Sequence, residues 1–267
     1  MEWSKIKTIL IWLFAMVNIF LFIIFFKGTS SGTNISNETI ENTIAILSKN
    51  NVAITKDLMP RSYSNAKICN VENKYNAVSA MLDNARKVSA QEGVDYLSEE
   101  NTKSRGNTFT CTVNSDTEVY NAEKYAKKEI KKTGLLQDVQ YTAEEKNGYV
   151  FFYLKYNNQI FYDCYIRVKC TETGIKEIYG HNWLGDSITE GGMAETVSPA
   201  EILIDFAIQM KYSEPITVKS VNSGYYIGDR DETVRVTAFP VWEITMSDGN
   251  VFYFDMRNGD LLNKNEI

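Results

Sequence analysis

The sequence predicts an α+β protein with an N-terminal transmembrane helix and an extracytoplasmic domain built from tandem helix-on-antiparallel-sheet units. Three observations predict this fold. A stretch of 18 residues without a charge, residues 9–26, lies near the start of the chain. One amphipathic helix followed by four strand-like segments then occurs twice, in residues 115–197 and in residues 198–267. Short turns containing Asn or Gly separate those strands and favour antiparallel hairpins.

Residues 1–27 are predicted to form a cytoplasmic stub and a membrane anchor. At about 1.5 Å per residue, the apolar stretch with its flanks spans a hydrocarbon layer of roughly 30 Å. Lys5 and Lys7 precede it and Lys27 alone follows it closely, which places the N-terminus in the cytoplasm and the bulk of the chain outside. A cleavable signal peptide is the alternative. The apolar stretch is longer than the core of such a peptide, and no A-x-A-like site follows it, so an uncleaved, single-pass anchor is favoured.

The anchor contains three candidate partner-binding residues. Asn18 is its one strongly polar residue, and Trp3 and Trp12 lie at and within the anchor. An unpaired carboxamide in lipid costs free energy, which a hydrogen bond to a neighbouring helix would offset. Asn18 bonded to its own helix backbone is the alternative, and the sequence does not decide between the two. Trp3, Trp12 and Asn18 are therefore a predicted contact with another membrane helix.

Two segments separate the anchor from the tandem units. Residues 28–37 are small and polar and are predicted to form a flexible linker. Residues 38–114 are predicted to form a first α+β region. Its elements are a helix over residues 37–50, a strand over 52–58, a helix over 75–90, and strands over 94–99 and 107–113.

Residues 115–197 are predicted to form the first helix-plus-meander unit. Ser115 and Glu118 fit a capping box, which predicts a helix from Ser115 to about Lys132. Its apolar face comprises Val119, Ala122, Ala126 and Ile130. Four strands follow, over residues 139–144, 148–156, 159–170 and 174–179. In the third strand, alternation places five residues in one apolar row: Tyr162, Cys164, Ile166, Val168 and Cys170.

Residues 198–267 are predicted to form the second unit. Ser198, Pro199 and Glu201 supply an N-cap, a first-turn proline and a capping-box acid. The helix that follows directs Ile202, Phe206 and Met210 towards a core. Strands are predicted over residues 216–228, 233–246, 250–256 and 260–262. The repeated order of elements indicates an internal duplication, although the residues of the two units do not match closely.

The composition argues against an enzyme. His181 is the single histidine, and no nucleophile motif accompanies it, so no catalytic residue, cofactor or metal is predicted. The net charge of -6 and the lack of a basic tract argue against nucleic acid as a partner. The four cysteines are interpreted as buried free thiols. A disulfide between Cys69 and Cys111 is the alternative interpretation.

Several short motifs resemble the YycI (WalI) family. The chain begins MEWSKIKTI and its anchor contains VNIFLF. Members of that family begin with an acidic residue, Trp, Ser and Lys, and have Asn in the membrane helix. The C-terminal part is similar in four further motifs: SPAE at residues 198–201, GYY at 224–226, PVW at 240–242 and NGD at 258–260. The resemblance spans the whole chain.

The resemblance implies a regulatory membrane protein of the WalK/WalR (YycG/YycF) two-component system, which governs cell-wall metabolism. The implied partners are a WalK (YycG)-like sensor histidine kinase and a YycH-like protein, contacted through the membrane helix and the ectodomain without catalysis. A homodimer and a heterodimer both fit. An anchored extracytoplasmic ligand-binding or inhibitor module is the alternative, and an envelope hydrolase is the third interpretation. The sequence does not indicate whether the regulation is activating or inhibitory, or which ligand the ectodomain senses.

Overall fold

A computed structural model describes residues 7, 11–21, 32–72, 74–75, 77–183, 187–228 and 235–265. It shows an α+β architecture in which helices pack against a large, mainly antiparallel sheet. The helices are α1 (Asn37–Lys49), α2 (Val78–Gln91), α3 (Ala122–Lys132) and α4 (Pro199–Met210). The strands are β1 (Thr33–Asn34), β2 (Val52–Ala53), β3 (Ser62–Tyr63), β4 (Ala66–Glu72), β5 (Thr102–Arg105), β6 (Thr108–Thr112), β7 (Tyr141–Lys146), β8 (Tyr149–Tyr156), β9 (Gln159–Thr171), β10 (Gly174–His181), β11 (Ser187–Ala194), β12 (Ile216–Tyr226), β13 (Arg235–Met246), β14 (Val251–Asp255) and β15 (Leu261–Asn265).

The N-terminal segment is helical over residues 11–21, and almost all of its side chains are exposed. In the portion of the chain that the structure describes, no helix is both long enough and apolar enough to cross a membrane. The predicted anchor, residues 9–26, continues past this segment on both sides, outside the described residues. Residues 28–31 of the predicted linker also lie outside them.

The first half of the sheet has the strand order β5-β6-β10-β9-β8-β7, and every neighbouring pair is antiparallel. Two hairpins form because asparagines adopt the positive φ that tight turns need. Asn157 and Asn158 have φ of 47° and 66°, and Asn147 has φ of 52°. α2 and α3 pack on one face, in a core that includes Met81, Leu82, Ala126, Ile130, Phe152 and Ile166.

The second half has the order β2-β12-β13-β14-β15. α4 begins as predicted, because the Ser198 hydroxyl accepts a hydrogen bond from the Ala200 N–H at 3.2 Å and Pro199 occupies the first turn. Ile202 and Phe206 are buried in the second core, and Met210 packs against it. α1 packs beside α4 over the same core. The α+β fold class is therefore confirmed, with helices packed on both halves of one continuous sheet, while the division into two duplicated units stays a prediction.

The two halves are joined by a short parallel contact between β9 and β12, where Gly224 lies opposite Ile160. Beyond it, β4 pairs with the start of β13, and β11 pairs with β4. The region 38–114 contributes to both halves, since α1 belongs to the second core and α2 to the first. The predicted boundaries at residues 114/115 and 197/198 stay predictions.

The predicted start of α3 is wrong. Its N-cap is Asn121, whose side-chain oxygen accepts from the Lys124 N–H at 2.7 Å. The preceding chain lies along the β9–β10 hairpin, where the N–H groups of Thr117 and Val119 donate to the carbonyls of Thr173 and Glu172. Because those backbone groups are satisfied outside a helix, Ser115 and Glu118 do not act as a capping box. Val119 therefore lies outside the helix, while Ala126 is buried as predicted.

Several strands of the first region also differ from the prediction. The strand expected over 52–58 is limited to β2, and residues 94–98 form a loop with a turn at 96–97 that leads into a 3-10 helix, Glu99–Asn101. β5 lies between the strands predicted over 94–99 and 107–113, and β3, β4, β5 and β11 were not predicted. β4 and β11 pair across more than a hundred residues of chain, and two glycines, Gly191 and Gly192, interrupt the pattern of β11.

The apolar row predicted on β9 is broken by a bulge. Tyr153 lies opposite Tyr165, but the next residue, Leu154, lies opposite Phe161. The extra residues between Phe161 and Tyr165 reverse the alternation. Tyr162 therefore belongs to a different cluster from Cys164, and the prediction that they share a row is wrong. The prediction is confirmed for Cys164, Ile166, Val168 and Cys170, which lie in or against the first core.

The four cysteines are free thiols, as the sequence analysis favoured. Burial raises the pKa of Cys111 and of Cys170 to about 11 in each case, and it also raises the pKa of Cys69. A raised pKa lowers the fraction of reactive thiolate at neutral pH. We expect the folded protein to react slowly with a thiol reagent, and the unfolded, unreduced protein to release four thiols. Fewer than four in denaturant would reveal a disulfide and contradict this structure.

Candidate functional site: a groove between the halves of the sheet

The face of the first half that points away from the helices is rich in aromatic side chains. On β8, half-buried Tyr149, Phe151 and Tyr153 alternate with the buried side chains of the core. Phe151 and Tyr153 are stacked, with ring centroids 5.6 Å apart and an angle of 6° between the rings. Tyr165 of β9 lies 5.7 Å from Phe151 and 5.9 Å from Tyr153. We call Phe151, Tyr153 and Tyr165 the aromatic wall.

The corresponding face of the second half meets the first half at a small apolar cluster. This cluster contains Tyr162 of β9, Val241 of β13, and Val251 and Tyr253 of β14. The rings of Tyr162 and Tyr253 are 5.3 Å apart. The β9 bulge is what turns Tyr162 to this face.

A groove of about 990 Å³ opens beside this cluster. It is lined by the aromatic wall and by polar residues from both halves. These include Glu144, Lys146, Gln159, Arg167, Asn222, Ser223 and Glu243. Its size is at the upper end of the range of about 300–1,000 Å³ that is typical of ligand pockets. The arrangement can hold a ligand larger than one side chain.

Glu243 is the groove's most unusual charged group. It is half-buried on β13, and its Oε2 accepts a hydrogen bond from Asn222 Nδ2 at 3.1 Å. Burial raises the pKa of Glu243, and the nearby negative charge of Glu144 acts in the same direction. Asn222, Lys146 and Tyr162 oppose that rise. Among the described residues, Glu243 has no cationic partner at salt-bridge distance.

The tyrosines of the groove are neutral phenols at physiological pH. Burial raises the pKa of Tyr153 and of Tyr162, and it raises the pKa of Tyr165 to about 12. The Tyr162 hydroxyl donates a hydrogen bond to the Ser223 carbonyl at 3.3 Å. These residues offer ring faces and hydroxyl donors rather than charge.

Arg167 is held in place by the protein itself. Its guanidinium lies between the rings of Tyr149 and Tyr179, at 4.7 and 4.8 Å from their centroids, and donates to Glu177 at 3.2 Å. Among the described residues, the buried Nε has no hydrogen-bond partner, which fits a guanidinium enclosed by ring faces. Arg167 therefore supports the wall of the groove.

Asp163 fixes the relation between the two halves. It is buried in the β9 bulge, and its carboxylate accepts from the Ile227 N–H at 2.9 Å and from the Gly228 N–H at 2.6 Å. These two N–H groups directly follow β12. Since β9 belongs to the first half and β12 to the second, Asp163 bridges them beside the groove. No motif in the sequence indicates this role for Asp163.

The residues predicted as a partner contact lie on the N-terminal segment, apart from the groove lining. Trp3 lies outside the described residues. Trp12 is exposed, and the Asn18 side-chain amide donates to the Phe14 carbonyl at 2.8 Å. This bond corresponds to the alternative in which Asn18 is satisfied by its own helix. The contact of these residues with a second helix stays a prediction.

His181, the single histidine and not predicted to be catalytic, lies at the end of β10. Its ring is half-buried and lies 5.6 Å from the ring of Tyr165. Within the described ranges, no group of three His, Cys, Asp or Glu residues is placed to hold a metal ion. The groove itself was not predicted. Its signal was the aromatic alternation of Tyr149, Phe151 and Tyr153, which makes both faces of β8 partly apolar.

The fold and the groove define a class: an α+β protein with helices on one face of its sheet and a ligand-sized groove on the other. The YycI protein family matches residues 30–255. The chain therefore belongs to the YycI family, as its motifs indicated. This is a family of regulatory proteins, and membership implies involvement in the YycG/WalK system.

Two solved structures are similar to this chain. An uncharacterized protein from Eubacterium rectale is 10% identical, with a TM-score of 0.47, over 84% of this chain and 98% of that one. The Bacillus megaterium YpeB C-terminal domain is also 10% identical, with a TM-score of 0.40, over 69% of this chain and 96% of that one. A search of curated protein sequences finds no match.

Proposed function

We propose that this chain is a membrane-anchored extracytoplasmic regulator of a cell-wall sensor histidine kinase. It acts by protein–protein contact with a WalK (YycG)-like kinase and a YycH-like protein, without catalysis or a cofactor. The observation that carries the proposal is the family match over residues 30–255. The apolar stretch 9–26 supplies the single-pass anchor, and Lys5 and Lys7 orient the N-terminus towards the cytoplasm.

The first contact surface in this proposal is the anchor. Helices in lipid gain little from apolar contact alone, so recognition depends on close packing and on rare polar groups. A carboxamide has two donors and an acceptor, and one donor of Asn18 bonds the Phe14 carbonyl. The remaining groups of Asn18 are suited to a hydrogen bond with a kinase helix. Trp3 and Trp12 add large, amphipathic rings to the same segment.

A ligand-binding module is the second candidate function, and the groove favours it. A protein that contacts a kinase only through its anchor does not need a groove of about 990 Å³ with a polar and aromatic lining. The two functions are compatible, because the ligand would lie in the groove of the sheet and the kinase would contact the anchor. The kinase contact of the anchor can therefore be tested separately from ligand binding in the groove.

Replacing Asn18 with leucine is expected to weaken association with the kinase while leaving insertion and ectodomain folding unchanged. The expected loss is about 0.5–2 kcal/mol, because the unbound carboxamide finds an alternative partner in its own helix. Binding should fall several-fold without being abolished. The measurement is energy transfer or co-purification between tagged full-length chain and kinase in membranes.

Two matched anchors provide the controls for that measurement. Ile19→Leu keeps the anchor apolar and retains Asn18, so association should match the native chain. An anchor with residues 9–26 scrambled keeps the composition but removes the packing surface, so association should fall further. Equal association of all the variants would show that the helix is a generic tether and that the anchor contact proposed here is wrong.

A further inference from the structure

The groove contains a negative charge that the protein does not neutralise at close range. Glu243 is half-buried, accepts a hydrogen bond from Asn222 and lies near the Tyr162 hydroxyl, but it has no cation at salt-bridge distance among the described residues. Removing a carboxylate from water is costly unless a cation or several hydrogen bonds replace the water. The raised pKa of Glu243 records that cost. Because the group is exposed to the groove, a ligand can supply what is missing.

The groups that face Glu243 are of mixed charge. Glu144 from β7 adds a second carboxylate, and Lys146 on the same strand is the nearby cation. Tyr162 from β9 contributes a neutral hydroxyl, and Tyr153 from β8 an aromatic ring. Two further cations line the groove: Arg167 is paired with Glu177, and Lys219 of β12 is exposed. Around Glu243 itself two carboxylates therefore face one lysine, which favours a cationic group at that position.

The aromatic wall gives the same preference by a different interaction. Phe151, Tyr153 and Tyr165 line the groove together with Glu243. The faces of such rings attract ammonium and guanidinium groups by about 0.5–2 kcal/mol, with the larger values in desolvated sites. A carboxylate beside aromatic rings is complementary to a lysine or arginine side chain, which has an apolar stem and a charged end.

We propose that this groove binds a peptide segment through a lysine or arginine side chain, with Glu243 as its counter-ion and the aromatic wall as its packing surface. A groove of about 990 Å³ is larger than one side chain requires, so neighbouring peptide residues fill it. Gln159, Asn222 and Ser223 line it with amide and hydroxyl groups that can bond a peptide backbone. The inference does not depend on the proposed anchor contact.

The test uses the full-length chain in nanodiscs and labelled peptides as probes. The first probe is acetyl-Gly-Ser-Lys-Ser-Gly-amide, and the matched probe carries norleucine in place of lysine. Fluorescence anisotropy should show saturable binding of the lysine peptide, at least about ten-fold tighter than the norleucine peptide, which corresponds to about 1.4 kcal/mol. Equal affinities, or no saturable binding of either peptide, would overturn the proposal.

Glu243→Gln should reduce the affinity for the lysine peptide at least about ten-fold and leave the norleucine peptide unaffected. Glu100→Gln, at an exposed glutamate of the 3-10 helix, is the matched control and should bind as the native chain does. Unchanged binding by Glu243→Gln would contradict the role of that carboxylate.

n-Butylamine should displace the lysine peptide only at concentrations at least ten-fold higher than the concentration of the peptide. Displacement at equal concentration would show a site for free amines and refute peptide recognition.

Unfolding of Glu243→Gln cannot account for its loss of peptide binding, because this substitution is not expected to lower the stability of the protein at neutral pH. A carboxyl group with a raised pKa in the folded state stabilises the protein below its ordinary pKa, and that contribution is lost as the pH rises through the raised pKa. Glu243→Gln should therefore be at least as stable as the native chain at neutral pH. The same titration weakens peptide binding on acidification, beginning at a higher pH than for an ordinary glutamate.

Discussion

Replacing Asp163 with alanine is expected to lower the free energy of unfolding by about 3 kcal/mol. The carboxylate is buried and accepts from the N–H groups of Ile227 and Gly228. Hydrogen bonds to a charged group contribute about 1.5–3 kcal/mol, and the abandoned N–H groups would lose their partner in a buried environment. The loss should be concentrated where β12 ends, because that is where the bonded N–H groups lie.

Chemical denaturation of the full-length chain measures this effect. Asp163→Asn keeps a carbonyl acceptor and should lose less than the alanine variant. Asp116→Ala, at an exposed position, is the matched control and should stay within about 0.5 kcal/mol of the native chain. An Asp163→Ala variant as stable as Asp116→Ala would show that the bridge between β9 and β12 contributes nothing.

Replacing Gly224 with valine is expected to destabilise the protein by about 3 kcal/mol and to separate β9 from β12. A Cβ at this position would lie 2.6 Å from the Ile160 carbonyl oxygen and 2.3 Å from Tyr162 Cε2. The ring can move, but the carbonyl belongs to the paired strand. Overpacking costs typically about 1–3 kcal/mol, and contact with backbone puts this site at the upper end.

Hydrogen exchange combined with denaturation tests the Gly224 prediction. Amides of β9 and β12 near residues 160 and 225 should lose protection first, since they flank the parallel junction. Gly192→Val is the control, because a Cβ there meets nothing within 4 Å. If Gly224→Val keeps native stability and native protection at the junction, the close approach of the two strands is wrong.

Local sequence patterns predicted the elements that depend on neighbours in the chain. Ser198 and Pro199 marked the start of α4 because a cap and a first-turn proline act within one turn. The β8–β9 hairpin followed from Asn157 and Asn158, whose positive φ is a property of a two-residue turn. In both cases the determining interactions lie within a few residues.

Elements that depend on distant partners were mispredicted or missed. Ser115 and Glu118 have the spacing of a capping box, but the adjacent backbone bonds the β9–β10 hairpin instead. β4 and β11 were missed because each is a weak strand by itself and gains its hydrogen bonds from the other, with β4 also bonding β13. Tertiary hydrogen bonds outweigh a local motif when they satisfy the same backbone groups.

The groove could not be predicted because its residues come from strands that meet only in the folded sheet. Glu243 and Tyr153 are 90 residues apart in the sequence, and each has an ordinary strand context. The bulge that turns Tyr162 towards them depends on the register between β8 and β9. A regular alternation assigns Tyr162 to the wrong face, so the sequence pattern points away from the site.

The central claim, regulation of the kinase by contact with this chain, is tested most directly by kinase activity in a defined membrane. The WalK (YycG)-like kinase would be reconstituted in liposomes alone, with the full-length chain, and with a chain whose residues 9–26 are scrambled. We expect the native chain to change the rate of kinase autophosphorylation, in either direction, and the scrambled anchor to reduce that change. An identical rate with and without the native chain, at confirmed co-insertion, would contradict the claim.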